Sequence, residues 1–200
     1  YDLTGVNAAT GLTASVTIAA GAGTLTIPAA ELSATGAETI DITNIENANG
    51  CVPASGLPIS NNFNVNPLPN LMSIALSSDD ICLGDNGIVN VTAPNLADGD
   101  YDFTYNLSGP NSATGVTTTV TITSNAGTLT IPAASLSNAG AAQDVEITNI
   151  VDPNGCEPTT MPSFNTDFVI NDIPDATTTA ISVADICVGD DAVITIIANS

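Results

Sequence analysis

Apolar and polar residues alternate with a period of two along most of the chain. Tyr101, Phe103, Tyr105 and Leu107, for example, fall on one face of a strand and are separated by polar residues. This alternation is typical of β-strands that bury one face. Between turn sequences such as Asn-Gly and Asp-Gly, the pattern predicts strands at residues 71–78, 87–93, 101–108, 117–124, 127–132, 143–151 and 166–172. Seven short strands at this spacing predict an immunoglobulin-like β-sandwich, and we letter them A to G in this order.

The sequence also contains an internal repeat that covers most of the chain. YDLTGVNAATG at 1–11 returns as YNLSGPNSATG at 105–115, GTLTIPAA at 23–30 returns at 127–134, and DICLGD at 80–85 returns as DICVGD at 185–190. The period is 104 residues early in the repeat and 105 residues later. A repeat of this size predicts an all-β array of tandem domains, each of about seven strands.

The phase of the repeat predicts where the domains begin and end. Pro-rich stretches at 66–70 and 171–175 follow the two copies of strand G and are predicted linkers. Residues 1–69 then form a partial domain without strands A and B, residues 70–174 a complete domain, and residues 175–200 strands A and B of a following domain.

This phase has two explanations. In the first, the 200 residues are a window from a longer array. In the second, strands A and B of one chain complete the partial domain of another chain, which is strand complementation. In both cases we expect this 200-residue segment, expressed alone, to expose the core of residues 1–69 and to associate or be locally disordered.

The charge of the chain excludes several function classes. It has 21 Asp and Glu residues, no Lys, Arg or His, and a formal net charge of -21. The chain has no imidazole for base catalysis and no amine for a Schiff base, which removes most catalytic mechanisms, and no enzymatic activity is expected. A nucleic-acid partner is not expected either, because such binding begins with cations that neutralise phosphates. No apolar run approaches the ~18 residues of a membrane helix, so direct membrane insertion is not expected.

Four segments carry a family resemblance: DICLGDNGIVNVTA, LADGDYDFTYNLSG, GTLTIPAASL and VDPNGC. With them the chain resembles the tandem Ig-like repeats of very large surface proteins of Bacteroidetes, many of which end in a gliding-motility-associated or type IX secretion sorting domain. The resemblance covers essentially all of the chain, and its most specific part is the pairing of ICxGD with NGC in each repeat. It implies an extracellular, surface-attached fibre or adhesin, and it brings no catalytic residues.

We therefore expect a structural segment of an extracellular filament or adhesin stalk at the cell surface, acting in attachment, gliding or cell contact. Its partners would be neighbouring repeats or copies of itself end to end, with a surface glycan or protein as a further ligand. One alternative is a glycan- or protein-binding module that uses exposed Thr- and Asn-rich loops. Another is a filament subunit joined by strand complementation between chains.

The cysteines occur as two in each repeat. Cys51 and Cys156 follow strand F, and Cys82 and Cys187 precede strand B. An even count without C-x-x-C spacing or His predicts disulfides in an exported protein. A Cys82–Cys156 bridge within the complete domain is the simplest pairing. However, the A–B and F–G corners of a sandwich lie at opposite ends, which favours bridges across the junctions between domains.

Carboxylates also suggest one metal site. No cofactor is required, but calcium could be held by side chains near one end of the complete domain: Asp98, Asp100, Asp102, Asp152, Asp172 and Asp175. The first three form a D-x-D-x-D stretch that is predicted to lie in the B–C loop. In the alternative interpretation, Asp98-Gly99-Asp100 is a turn whose side chains cap backbone N–H groups.

Overall fold

The computed structural model describes residues 1–175 and 180–197, and these fall into two compact units. Unit 1 is Tyr1–Leu68 and unit 2 is Pro69–Ser200, so the boundary lies within the Pro-rich stretch at 66–70. The described residues form strands joined by turns and irregular segments, with 3-10 turns at Ala29–Glu31 and Ala133–Ser135. The strands are β1 (Asp2–Gly5), β2 (Gly36–Ile42), β3 (Ile59–Val65), β4 (Ala75–Ser78), β5 (Ile81–Cys82), β6 (Gly87–Thr92), β7 (Gly99–Ser108), β8 (Ala113–Ile122), β9 (Ala126–Ile131), β10 (Gly140–Val151), β11 (Phe164–Asn171), β12 (Ala180–Val183) and β13 (Ile194–Ile197).

Strands β4 to β11 form two sheets. One sheet has the order β4-β6-β9 and the other has the order β5-β11-β10-β7-β8. Neighbouring strands are antiparallel, except that β5 lies parallel to β11. Each of the seven strands predicted between residues 71 and 172 is present, and the short β5 is an addition that the alternation did not predict.

One hydrophobic core joins the inner faces of these two sheets. Val89 and Val91 come from the three-stranded sheet, and Phe103, Tyr105 and Phe168 come from the five-stranded sheet. Phe103 and Val89 have no exposed surface, and Tyr101 and Tyr105 are also buried, as their alternation predicts. The predicted all-β architecture is therefore confirmed, with two sheets packed around a common core. We call this body, β4 to β11, the complete sandwich.

Unit 1 contains much less of a core. Its three strands form an antiparallel sheet in the order β1-β2-β3. Among its residues only Tyr1, Leu3 and Glu38 are buried. Residues 12–28, which match β8 and β9 by the repeat, form no strand here and contain one isolated bridge between Ala19 and Ala22. Their apolar side chains are consequently half-buried or exposed, and Ile18 is 65% exposed.

The last described strands, β12 and β13, pair with each other in a hairpin at Ala180–Ile197. We call this the terminal hairpin. Every residue of its two strands is exposed, although Ile181, Ile194 and Ile196 are large apolar side chains. The hairpin is therefore formed by backbone pairing, with an apolar surface that no described part of the chain covers.

Candidate functional site

Two of the six carboxylates proposed for calcium, Asp100 and Asp102, lie on a strand rather than in a loop. Asp100 and Asp102 are exposed residues of β7, and each accepts a hydrogen bond from a threonine hydroxyl of β8. The Oδ1 atoms are 2.7 Å from Thr121 and Thr119, respectively. Asp98 precedes the strand and accepts a 2.8 Å bond from the Ser124 N–H, as the capping interpretation of this turn predicts. The loop placement of these two residues was wrong: Asp102 lies inside the strand that the apolar pattern predicts at 101–108, and Asp100 joins it because β7 begins at Gly99.

The six proposed calcium ligands do not gather at one end of the sandwich. Asp152 lies at the same end as Asp98, because Pro153 is in contact with Gly99. Asp172 and Asp175 follow β11, whose last residues lie beside Gly140, at the opposite end of β10. In the described part of the chain, no group of three or more Asp, Glu or Cys side chains is placed to share a metal ion. Calcium binding remains a prediction without a common site for its six residues.

All four cysteines are unpaired in the structure. Cys82 pairs with Asn171 at the Gly140 end of β10, whereas Cys156 follows the Val151 end. A strand of 12 residues is about 36 Å long, and a disulfide requires Cα atoms within ~7 Å. Cys82 and Cys156 therefore cannot be bridged within the complete sandwich. Bridges across domain junctions remain a prediction.

Cys51 and Cys156 sit in two copies of the same turn. In unit 2, the Asp152 Oδ1 accepts 2.8 Å bonds from the N–H groups of Asn154 and Cys156. In unit 1, the Asn47 Oδ1 accepts 3.0 Å bonds from Asn49 and Cys51. Partial burial and the neighbouring Asp152 carboxylate raise the pKa of the Cys156 thiol. The two turns thus differ in charge while they share their backbone hydrogen bonds.

This pair gives a direct test of thiol reactivity. Because the thiolate is the reactive form, we expect iodoacetamide to alkylate Cys156 more slowly than Cys51 at pH 8. Asp152→Asn should raise the Cys156 rate toward that of Cys51, and Asn47→Asp should slow Cys51. Peptide mass spectrometry of timed, quenched samples measures both rates. Equal rates in all three proteins would show that the carboxylate has no influence on the thiol.

A buried amide network lies at the start of β10, and the apolar pattern contained a signal for it. Gln143 is in phase with Val145 and Ile147 on the core face, and it has no exposed surface. Its Oε1 accepts 3.0 Å bonds from the backbone N–H and the Nδ2 of Asn111. Its Nε2 donates to the carbonyls of Ser108 at 2.8 Å and Asn111 at 3.0 Å. Both polar atoms of the Gln143 side chain are therefore hydrogen bonded, and these bonds connect the β7–β8 turn to β10.

In unit 1 the matching residue is Glu38, which is 2% exposed. Its Oε2 accepts bonds from the Asn7 N–H at 2.9 Å and from the Asn7 Nδ2 at 3.0 Å. Its Oε1 is buried and has no hydrogen-bond partner in the described structure. A carboxylate has no N–H to donate, so it cannot make the two bonds that the Gln143 amide donates in unit 2.

An open cleft of about 470 Å³ lies beside this carboxylate, lined by Thr4, Gly5, Ala37, Glu38, Thr39, Asn62, Phe63 and Asn64. Glu38 is the only ionisable residue in its lining. Glycoside hydrolysis uses two opposed carboxyl groups, and this cleft offers one. The cleft is better understood as the incompletely covered face of a three-stranded sheet.

The comparisons with known proteins give no relative. No protein-family model matches the chain, and no curated protein and no solved structure matches it significantly. None of the described helical segments has the length and apolar character needed to cross a membrane. The resemblance to Bacteroidetes surface repeats thus remains a prediction from sequence motifs.

Proposed function

We propose that this chain is a structural segment of an extracellular filament or adhesin stalk built from serial Ig-like β-sandwich repeats. One observation carries the proposal: corresponding loops are built in the same way in both copies. The turn before Cys156 closes with a Gly155 N–H to Asp152 carbonyl bond of 2.9 Å, and the turn before Cys51 closes with the equivalent 2.9 Å bond from Gly50 to Asn47.

Two further loops repeat in the same manner. The short bridge between Ala19 and Ala22 matches the bridge between Thr123 and Ala126. Single 3-10 turns follow Pro28 and Pro132 at equivalent positions. A binding module concentrates sequence and conformational differences in its loops, whereas a stalk has no need for such differences. The conserved loop geometry between the two copies therefore favours the stalk over the glycan- or protein-binding alternative.

The surface chemistry supports the same proposal. Exposed positions on β7 and β8 carry Asp and Thr pairs that bond to each other across the strands. The chain carries a formal charge of -21 and no basic side chain. A uniform negative charge keeps neighbouring rods soluble and mutually repulsive, which suits an extended fibre. Export to the cell surface follows from the family resemblance and belongs to this proposal.

Electron microscopy of the native material tests the proposed function. We expect a beaded rod in which each repeat of about 105 residues is one bead, with a spacing on the order of 40 Å set by strand length. The rod should persist at physiological salt, where surface charges are screened beyond ~8 Å. Compact, isolated globules in native preparations would contradict the proposal.

A further inference from the structure

Strand β8 forms an unprotected edge of the complete sandwich. It is the last strand of the five-stranded sheet, and β7 is its one partner in that sheet within the described chain. At the opposite edge, β5 has only two residues, and the Asp80 side chain accepts a hydrogen bond from the Val169 N–H. β8, in contrast, has ten residues with neither a charge nor a proline. Short strands, charges and prolines protect sheet edges against pairing with another chain, and β8 has none of the three.

The sequence around β8 is also free of charge. Residues 103–143 contain none of the 21 acidic residues, and neither do residues 3–30 in the first copy of the repeat. The rest of the chain carries only negative side chains, since it has no Lys, Arg or His. Two copies of the chain therefore repel each other over most of their surfaces. The β8 edge is a place where they can approach without bringing charged side chains together.

Hydrogen bonds at the end of β8 show which of its backbone groups point outward. Directly after β8, the Thr123 N–H donates a 2.8 Å bond to the Ala126 carbonyl, and the Thr123 carbonyl accepts a 3.1 Å bond from the Ala126 N–H. Ala126 begins β9, which belongs to the other sheet, so this side of β8 faces away from β7. Backbone groups alternate in direction along a strand. The N–H and carbonyl groups of Thr121, Thr119 and Thr117 therefore also point away from β7.

The open part of this edge is short. At one end, the Thr121 carbonyl lies 2.9 Å from a Cβ built on Gly127, so the start of β9 covers it. At the other end the β7–β8 register shifts, and the Gly115 N–H donates a 2.9 Å bond to the Asn106 Oδ1. In the described structure, the outward backbone groups that stay uncovered therefore lie within residues 117–119.

We propose that the β8 edge pairs with the β8 edge of a second copy of this chain, antiparallel and about a two-fold axis. The axis passes between Thr118 and Thr118 of the second copy, which lie opposite each other. Thr117 of each copy then lies opposite Thr119 of the other, and each such pair exchanges two main-chain hydrogen bonds. The uncovered groups are thus self-complementary under two-fold symmetry. This property favours a second copy over a strand of another sequence.

The charges nearest to this contact are compatible with it. Asp102 lies on β7, one strand away from the edge, and accepts a 2.7 Å bond from the Thr119 hydroxyl. In the proposed pair, the Asp102 carboxylates of the two copies are separated by three strand spacings, about 14 Å. Surface charges are largely screened beyond ~8 Å at physiological salt. Pairing through β8 therefore brings no two carboxylates of the β7 strands close together.

This proposal rests on the proposed filament function for its biological setting. The two-fold axis gives two paired stalks opposite polarity, as stalks from two facing cells have. One contact is small, because it involves the backbone of only a few residues in each copy. Contacts that recur with each repeat act together along two stalks, so the pairing of stalks is stronger than any single contact. The β8 edge thereby supplies the partner in cell contact, which is the same edge on another stalk.

Disulfide trapping in the full chain tests the register. All four native cysteines are replaced by serine, and the Thr118→Cys protein is oxidised at high concentration in 0.15 M and 1 M NaCl. Opposite residues at a non-hydrogen-bonded antiparallel position have Cα atoms about 4.5 Å apart, which suits a disulfide. We therefore expect a covalent homodimer.

Thr117→Cys in the same background is the matched control. In the proposed register, the two copies of residue 117 are displaced by two residues, about 7 Å along the strand in addition to the spacing between strands. Their Cα atoms then lie beyond the ~7 Å limit for a disulfide. We expect no covalent homodimer from this protein.

A charge placed on the edge should prevent the pairing. Thr117→Glu, added to Thr118→Cys, puts a carboxylate opposite Thr119 of the second copy, whose hydroxyl is bonded to Asp102. We expect loss of the cross-linked homodimer, because the edge is then protected by charge. Thr92→Glu makes the same charge change at an exposed position on β6, the central strand of the other sheet, and should retain the homodimer. Circular dichroism checks that both proteins are folded.

The outcomes separate this proposal from the proposed function. A Thr118→Cys protein that stays monomeric on oxidation, or that dimerises no more than Thr117→Cys, overturns the β8 pairing. Retention of the homodimer in the Thr117→Glu protein also overturns it. If beaded rods are present in native material in either case, the filament function stands. A specific Thr118→Cys homodimer together with compact globules in native material supports the pairing and overturns the filament function.

Discussion

Replacing Phe168 with alanine is expected to lower the unfolding free energy of the complete sandwich by about 3–5 kcal/mol. Phe168 is 2% exposed and packs in the core between the two sheets. The loss combines the transfer free energy of the ring with the cavity that it leaves. Phe63 occupies the same position in unit 1, where it is half-buried, so Phe63→Ala should cost much less in the isolated chain.

Urea unfolding measured by tyrosine fluorescence reports the first of these effects, because Tyr101 and Tyr105 are buried in the complete sandwich. Amide hydrogen exchange of β2 and β3 reports the second effect in unit 1 separately. Phe164→Ala is a useful control, since Phe164 lies on the same strand and is only partly buried. Equal losses at Phe63 and Phe168 would mean that unit 1 already has a closed core.

Gln143 and Glu38 occupy matching buried positions in the two copies of the repeat. Exchanging them should destabilise the complete sandwich and stabilise unit 1. Gln143→Glu removes two donated hydrogen bonds and places a carboxylate against the Ser108 and Asn111 carbonyls. An unpaired buried charge of this kind costs about 3–5 kcal/mol. Glu38→Gln should stabilise unit 1 by about 1–3 kcal/mol, because the amide can donate where Oε1 has no partner in the described structure.

Exposed carboxylates provide the controls for this exchange. Glu146→Gln on β10 and Glu46→Gln in unit 1 remove one negative charge each from exposed positions. They separate the effect of net charge from the effect of the buried hydrogen bonds, since surface substitutions are usually within 0.5 kcal/mol. A stabilised Gln143→Glu protein would show that the amide network contributes nothing to the sandwich.

The sequence predicted the strands well because alternation reports burial directly. Phe103, Tyr105 and Phe168 lie in the core as their spacing indicates. The pattern failed where a strand extends beyond its apolar residues: β8 begins at Ala113 and β10 begins at Gly140. Backbone pairing with the neighbouring strands holds these ends, which are rich in Gly and Ala, in place, and no alternation of large apolar residues marks them.

The candidate site was harder to predict because it depends on register. The spacing of Asp100 and Asp102 in the sequence suggests a metal site. In the sheet, however, each carboxylate accepts a hydrogen bond from a threonine hydroxyl of β8. The separation of Asp172 from Asp98 likewise follows from strand direction, which the carboxylate spacing does not contain. Gln143 and Glu38, by contrast, were visible as polar residues in phase with apolar neighbours, and their partners Asn111 and Asn7 required the fold.

The parallel pairing of β5 with β11, the last strand of the complete sandwich, has a mechanical consequence. β5 and β11 pair through Ile81 with Ile170 and through Cys82 with Asn171. The Val169 N–H adds a 2.9 Å bond to Asp80, and the Leu83 N–H adds a 2.8 Å bond to the Asn171 carbonyl. Tension applied along the chain pulls these strands in opposite directions along their length. It therefore loads their hydrogen bonds together in shear, rather than opening them one after another.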